Sequence, residues 1–431
     1  MTFFPAGLAE SAGMAVEIPG RRNVRDRLAA LPGVRPVRRP VSPGSADEFD
    51  LYYVRTGRKS HHPLLIVPGG PGMASVAPYQ ALRRHGAAAG LDVIMVEHRG
   101  VGLSRHTDDG ADLPPAGLSI EQVVDDLAAV LDDARVESAV LYGTSYGSYL
   151  AAGVGVRHPD RVHAMVLDSP VLGRRDIDAV RAATRATLWD GRDPQTAALA
   201  AKVRTLVDRA DWSPSDGHLA AALYGLGGAA LLDRHLDLLL AGRRLLWSAV
   251  DSVGWRMAQR TVPFTNEVDL VGPIGFRELN FGGVPDGGPL DPAEAMRRCP
   301  GGDTPFEAEP FDLPAALPRF DWPTAVVSGG RDLTTPPSVA ERAAALLPDG
   351  HLVRLPTAGH SILDTRERAA LEIAADVCAG RAAEVAARGD ELDAAPASPA
   401  WRLMGVALGA AARVESALPS AAARLVTRIT S

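Results

Sequence analysis

A chain of 431 residues, 46% hydrophobic and 23% charged, has the material for a large buried core, as one domain with an insertion or as two domains. Its net charge of −7 is spread along the length, which excludes a basic nucleic-acid-binding surface as the main role. No stretch reaches the roughly 18 apolar residues of a membrane span, and two cysteines, Cys299 and Cys378, do not make a disulfide framework. Both are expected as unpaired thiols. Met1 to Gly20 lacks the basic and continuous apolar regions of a secretion signal, so a cytoplasmic location is expected. Arginine is used almost to the exclusion of lysine (Lys59 and Lys202), a compositional habit that gives a single arginine little weight on its own.

Residues 1–47 form an extension rich in Arg, Pro and Gly. Within it Arg21 to Leu31 suits a short helix, and the prolines of Val34 to Ser42 suit an extended edge segment. From Phe49 the pattern sharpens. FDLYYVR is strand-like, and Leu64 to Gly72 is an apolar strand running into a glycine-rich loop. A helical stretch around Tyr79 to Ala89, a strand over Val93 to Val96 and a helix over Ile120 to Ala134 follow. Ser119 is the N-cap of that last helix, with Gln122 completing a capping box. Ser138 to Leu150 reads as strand, sharp turn and helix, and Val162 to Asp168 as another strand. Strands that are apolar throughout and alternate with helices predict a mostly parallel, doubly wound α/β sheet covered on both faces.

The alternation stops at about Gly173. Asp176 to Ala186, Thr196 to Ala210 and Ala229 to Arg260 have helical spacing, whereas Gly272 to Pro310 is rich in loops. This predicts a helical cap inserted into the sheet domain. The sheet pattern resumes with Thr324 to Ser328, a helix from Ser338 to Leu347, the strand HLVRLP and a closing helix from Thr365 to Ala379. The expected division is therefore a first core part over 48–172, a cap over 173–318, a second core part over 319–385 and a helical tail over 386–431. The tail has helical spacing interrupted by Pro419, which predicts packing on the domain or, in a homo-oligomer, on a second subunit.

Reactive groups in such sheets gather at the carboxyl ends of strands. Gly143-Thr144-Ser145-Tyr146-Gly147 has the G-x-S-x-G spacing of a nucleophile elbow, weak evidence in isolation. Asp332 follows the Thr324–Ser328 strand and His360 follows HLVRLP, in the chain order Ser, Asp, His of the α/β-hydrolases. A serine hydroxyl needs a base to take its proton, an imidazole can do so, and a carboxylate orients that imidazole. Asp332 is expected as the acid in preference to Asp168, which also stands at the end of a strand. The oxyanion of acyl transfer needs preorganised donors, for which the N–H groups of Tyr146 and Gly70 are candidates. This chemistry requires neither a metal nor an organic cofactor.

VPGGPG (67–72), EHRGVGLS (97–104), GTSYGSYLA (143–151), GGRDLTTP (329–336) and TAGHS (357–361) together resemble the prolyl aminopeptidase and tripeptidyl aminopeptidase branch of the α/β-hydrolases. The resemblance covers about Phe49 to Leu172 and Asp321 to Gly380. It departs from the family pattern at Pro68, which stands where a histidine is usual, and at Glu97-His98, which replace Asp-Gln. It implies a helical cap and the release of N-terminal residues from peptides by a serine aminopeptidase of proline iminopeptidase-like or tripeptidyl specificity. It also implies cap glutamates that hold the substrate's α-ammonium, for which Glu278 and then Glu267 are the candidates, with Glu278 expected to face Ser145. Two alternatives stay open: an esterase, amidase or acyl transferase on a small-molecule substrate with the same three residues, and a non-catalytic ligand-binding protein on the same fold. The expected partner is a small peptide or small acyl compound.

Overall fold

The computed structural model describes residues 19–419; the readings of residues 1–18 and 420–431, including the secretion-signal reading and the end of the tail, lie outside the described residues. Helix α1 (Pro19–Ala29) leads into the antiparallel pair β1 (Val34–Pro40) and β2 (Glu48–Thr56). Then β3 (Leu64–Val67), α2 (Gln80–Ala88), β4 (Val93–Val96), α3 (Ile120–Asp133), β5 (Ala139–Thr144), α4 (Tyr146–Arg157) and β6 (Val162–Asp168) alternate. Next come α5 (Asp176–Arg185), α6 (Pro194–Asp208), α7 (Pro214–Leu240), α8 (Leu245–Gln259), α9 (Val268–Leu279), α10 (Pro292–Met296) and α11 (Leu313–Ala316). Strand β7 (Thr324–Gly329), α12 (Pro337–Leu346) and β8 (Gly350–Leu355) return to the sheet. The chain then runs through α13 (Ile362–Thr365), α14 (Glu367–Cys378), α15 (Ala382–Ala387), α16 (Gly389–Asp393) and α17 (Pro399–Ala417).

The strands form one eight-stranded sheet in the order β1-β2-β4-β3-β5-β6-β7-β8, parallel from β4 onward. The proline-bearing β1 lies at its edge, where missing N–H donors leave no ladder bond unmade on the open side. The continuous apolar runs have a direct cause. Leu65, Val67, Ile94 and Leu141 point into one core, while Leu64, Ile66, Val93, Met95 and Val140 point into the other on the opposite face. Period-two side chains with two buried faces leave no polar positions.

Between β6 and β7 the helices enclose a core of their own, built on Leu199, Val203, Leu223, Leu232, Leu236 and Trp247. Helix α9 runs through Gly272 and Pro273, inside the stretch expected to be loop. Burial of Val268, Val271, Ile274, Phe276 and Leu279 outweighs the donor that Pro273 lacks. The expected division at residue 385 falls inside α15, and α15 and α16 both pack on β8. The tail helix α17 lies on α7 and α8 of the same chain. Its buried Glu415 accepts from the Leu245 and Leu246 N–H groups at 3.0 and 2.9 Å, satisfying the free donors at the start of α8. Cys299 and Cys378 are both free thiols, and among the described residues no helix is long and apolar enough to cross a membrane.

Ser119 caps α3 by accepting from the Gln122 N–H at 3.3 Å, but the reciprocal bond of a capping box is replaced. The Gln122 carbonyl is taken by Arg99, and its amide donates to the Ala116 carbonyl at 3.0 Å. Arg99, fully buried, also makes a two-pronged pair with Asp126 at 2.7 and 2.8 Å and donates to the Gly117 carbonyl at 2.8 Å. Removing one partner of a buried pair strands the other charge away from water. Asp126→Ala is therefore expected to destabilise the protein by about 3–5 kcal/mol, read as a lowered urea midpoint.

Candidate active site

The turn after β5 is set by two close approaches of backbone. A Cβ on Gly143 would lie 2.3 Å from the Gly147 carbonyl oxygen, and one on Gly147 would lie 2.1 Å from that of Val67. With both side chains absent, β5 passes directly into α4 against β3. Ser145 then takes φ 51° and ψ −125°, a region that non-glycine residues seldom occupy. The Ser145 N–H donates to the Asp168 carbonyl at 2.9 Å, and the Ser148 hydroxyl donates to the Ser145 carbonyl at 2.5 Å.

The ends of β5, β7 and β8 bring three side chains into series. His360 Nε2 lies 2.9 Å from Ser145 Oγ, and His360 Nδ1 lies 2.8 Å from Asp332 Oδ2. Asp332 is buried and accepts further bonds from the Thr334 and Thr335 N–H groups and the Thr335 hydroxyl, at 2.8, 2.9 and 2.9 Å. Burial opposes its ionisation, but the charge and hydrogen bond of His360 and these donors prevail and lower its pKa. The competing acid is engaged elsewhere. Asp168 accepts from the Ile362 and Leu363 N–H groups at 3.2 and 3.0 Å and from the Tyr142 hydroxyl at 3.2 Å, and burial raises its pKa.

Tyr146 is the first residue of α4, so its N–H has no helical acceptor. The glycine loop lies beside the serine: a Cβ on Gly69 would be 3.3 Å from Ser145 Cβ, and Gly70 shares a cavity wall with Ser145. The departure at position 97 has a structural use. Buried Glu97 accepts from the Ser75, Val76 and Leu103 N–H groups at 2.6, 2.9 and 3.3 Å and so ties together the loops after β3 and β4. Burial raises its pKa and lowers that of the neighbouring His98 to about 4, leaving the imidazole neutral.

The two glutamates are not where the resemblance places them. Both are buried, but neither lines the cavity that holds Ser145. Glu278 accepts from the Ile120 N–H at 2.8 Å, at the start of α3, and pairs with Arg277. Burial raises its pKa, against those two partners. Glu267 accepts from the Gly102 N–H and lies 3.6 Å from Arg105, while its own N–H donates to the Gly72 carbonyl at 2.8 Å. Each acid is spent on free backbone donors and an arginine, so the expectation that Glu278 faces Ser145 is corrected.

The cavity has a volume of about 530 Å³ and reaches from Gly70, Ser145 and His360 to the helices above. Its walls are largely apolar, with Ile177, Val180, Leu226, Leu279, Phe281 and Met296 among them. Three of its features were not read from the sequence. Asp176 opens α5; its Oδ2 accepts from the Leu172 and Gly173 N–H groups at 2.6 and 3.0 Å, and among the described residues Oδ1 has no hydrogen-bond donor. Burial pushes its pKa up to about 6, against those two N–H groups. Arg331, inside the GGRDLTTP segment, is the second feature. The third is the start of α17, whose Trp401, Gly405 and Val406 close part of the wall. Arg331 stood in a quoted motif and could have been singled out, whereas an aspartate at the start of a helix looks like an ordinary cap.

Residues 62–226 match the sequence profile of the alpha/beta hydrolase fold family. The sheet order and the elbow geometry agree with that profile. The chain has the alpha/beta hydrolase fold. It is 28% identical over 146 residues to a proline iminopeptidase of Arabidopsis thaliana, covering 32% of this chain and 36% of that one. It is 32% identical over 106 residues to a 2-hydroxymuconate semialdehyde hydrolase of Pseudomonas sp. (strain CF600), covering 24% of this chain and 35% of the relative. The chain thus spans little more than a third of the length of either relative. Among solved structures it is similar to Est816, described as an N-acyl homoserine lactone degrading enzyme. There the TM-score is 0.44, with 20% identity over 77% of this chain and 96% of the other.

The turn around Ser145 makes a steric prediction. Gly147→Ala puts a methyl group 2.1 Å from the Val67 oxygen and 2.4 Å from the Pro68 oxygen, both backbone atoms that can yield only by moving β3. The substitution is expected to lower stability by about 1–3 kcal/mol and to slow fluorophosphonate labelling of Ser145. Thermal unfolding and a labelling time course read the two effects separately.

Proposed function

We propose that this protein is a serine hydrolase that works through an acyl-enzyme. The observation that carries the reading is the unbroken hydrogen-bonded series Ser145, His360, Asp332 at the wall of an apolar cavity. Ser145 Oγ attacks the substrate carbonyl while His360 Nε2 accepts its proton. Asp332 holds Nδ1–H and stabilises the imidazolium that forms. The developing oxyanion is received by the N–H groups of Tyr146 and Gly70, the first placed at the positive end of α4. Collapse breaks the bond to the leaving group, which takes the proton from His360. A water then repeats the sequence on the acyl-enzyme and frees Ser145.

The substrates we assign are short peptides with a free N-terminus. Similarity to a proline iminopeptidase supports this, and so does Asp176, which takes the place that the resemblance had given to the glutamates. Two N–H groups fix one oxygen of its carboxylate and leave the other to meet an ammonium group inside a mostly apolar cavity, where a charge-assisted hydrogen bond is strong. The second reading, an esterase or amidase on uncharged acyl groups, draws on the apolar walls and on the similarity to a 2-hydroxymuconate semialdehyde hydrolase.

Ser145→Ala is expected to lower kcat by about 10⁴-fold or more and to abolish fluorophosphonate labelling. Unchanged turnover of every anilide and p-nitrophenyl ester tried would sink the serine mechanism.

Aminoacyl anilides, their N-acetyl counterparts and simple esters separate the two substrate readings. On the first, Asp176→Asn raises KM for the free-amine anilide by about tenfold or more and leaves the N-acetyl compound largely unaffected. The pH dependence has a definite sign. Asp176 is neutral below about 6 and ionised above it, so KM for the free-amine substrate falls as pH rises through about 6. That trend is lost in Asp176→Asn.

A further inference from the structure

Arg331 is one of three arginines that line the cavity, with Arg366 and Arg402, and the mechanism above leaves it unused. Its backbone is fixed: its N–H donates to the Ala358 carbonyl at 2.9 Å, joining the loop of the acid to the loop of the base two residues before His360. Its side chain has a seat shaped for it. Helix α7 is interrupted at Gly228, which takes φ 67° and ψ −165°. A Cβ there would lie 2.8 Å from the guanidinium carbon of Arg331 and 3.0 Å from Nε and Nη1. The helix therefore breaks, at a residue without a side chain, where the guanidinium lies.

The charge of Arg331 is uncompensated. Among the described residues it has no ion pair and no side-chain hydrogen bond. Arg366, on the same cavity wall, acts on it as a like charge. Arg366 is already committed: it pairs with Asp393 at 3.2 Å and donates to the Thr357 hydroxyl at 2.7 Å. Asp393 is thereby committed to Arg366 and, among the described residues, makes no ion pair with Arg331. A guanidinium held in a fixed seat beside a second cation, facing a cavity, is a site that an anion completes.

The mechanism says which part of a substrate meets it. The leaving group takes its proton from His360, so it departs along the wall that adjoins His360. Thr357 and Gly359, close to His360 in the chain, line the cavity there, and Arg331 is tied to that segment through its bond to Ala358. The start of α17 closes part of the wall, anchored by the Ser398 N–H on the Thr365 carbonyl at 2.7 Å.

We propose that Arg331 binds a carboxylate on the leaving group, so that the preferred substrates are acyl compounds whose departing amine or alcohol bears an acid, as in a short peptide with a free C-terminus. This rests on the serine-hydrolase reading for the direction of departure, but the anion site can be tested without turnover. In the Ser145→Ala protein, 4-hydroxybenzoate is expected to bind at least about tenfold more tightly than 4-hydroxybenzamide by ligand-observed NMR. Arg331→Gln in that background removes the preference, Arg331→Lys keeps part of it, and Arg368→Gln, on an exposed helical face, keeps all of it.

With Ser145 restored, 4-acetoxybenzoate is expected to show the lower KM against 4-acetoxybenzamide, and Arg331→Gln brings the two together. Thermal midpoints of the variants guard against simple unfolding. Equal binding of acid and amide, or a preference that survives in folded Arg331→Gln protein, overturns the proposal. Ser145-dependent turnover without acid preference overturns it alone. Acid preference in a protein whose Ser145 neither labels nor turns over ester condemns the serine mechanism and leaves the anion site standing.

Discussion

Ser145 is held at φ 51° and ψ −125° by backbones in contact, and everything chemical in the molecule follows from that contact. A side chain in this region costs of order 1–3 kcal/mol and persists only where the surroundings over-determine it. Here they do. Strands β3 and β5 are paired in parallel from Leu64–Val140 to Val67–Gly143, and α4 sits over them with nothing but hydrogen at positions 143 and 147 in the gap. The Ser148 hydroxyl and the Asp168 carbonyl then fasten the serine's own carbonyl and N–H. The same geometry that strains Ser145 lifts its hydroxyl clear of the sheet and leaves the first N–H groups of α4 unpaired beside it.

The sheet was legible in the sequence because burial on both faces removes polar residues from whole strands, and the site was legible because parallel strands deliver their loops to one end. Ser145, Asp332 and His360 come from β5, β7 and β8, far apart in sequence and brought to one edge by topology alone. The choice between Asp332 and Asp168 was not readable from position, since both follow strands. It is made by what surrounds each carboxylate: Asp332 meets an imidazole, whereas Asp168 meets the N–H groups of Ile362 and Leu363 and serves to hold the turn that carries His360.

The cap was less legible for a physical reason. A buried acid can serve a ligand or serve the backbone, and sequence spacing does not separate the two. Glu278 sits between Phe276 and Phe281 as a pocket acid would, yet it satisfies the start of α3. Gln122 has capping-box spacing, yet Arg99 takes its carbonyl. Periodicity also undercounts helix where Gly and Pro occur inside a buried face, as in α9, because packing of the apolar stripe outweighs local propensity. The tail showed helical spacing without showing what it covers. Glu415 decides that by completing the open end of α8, which lays α17 across the cavity wall.

Selectivity in a cavity of this kind comes as much from what is left unpaired as from what is bound. The walls are mostly apolar, so on the proposed reading a substrate that enters displaces water from the free oxygen of Asp176 and from the guanidinium of Arg331. A compound that brings no counter-charge leaves those groups desolvated and loses more than the missing hydrogen bond. A compound with an ammonium group at one end and a carboxylate at the other satisfies both. The raised pKa of Asp176 already records the cost of burying that charge, and a bound ammonium would relieve it by favouring the ionised form. On the proposed reading, charged groups set in mostly apolar walls penalise a ligand that brings no matching charge, because a group desolvated by that ligand is left without a partner.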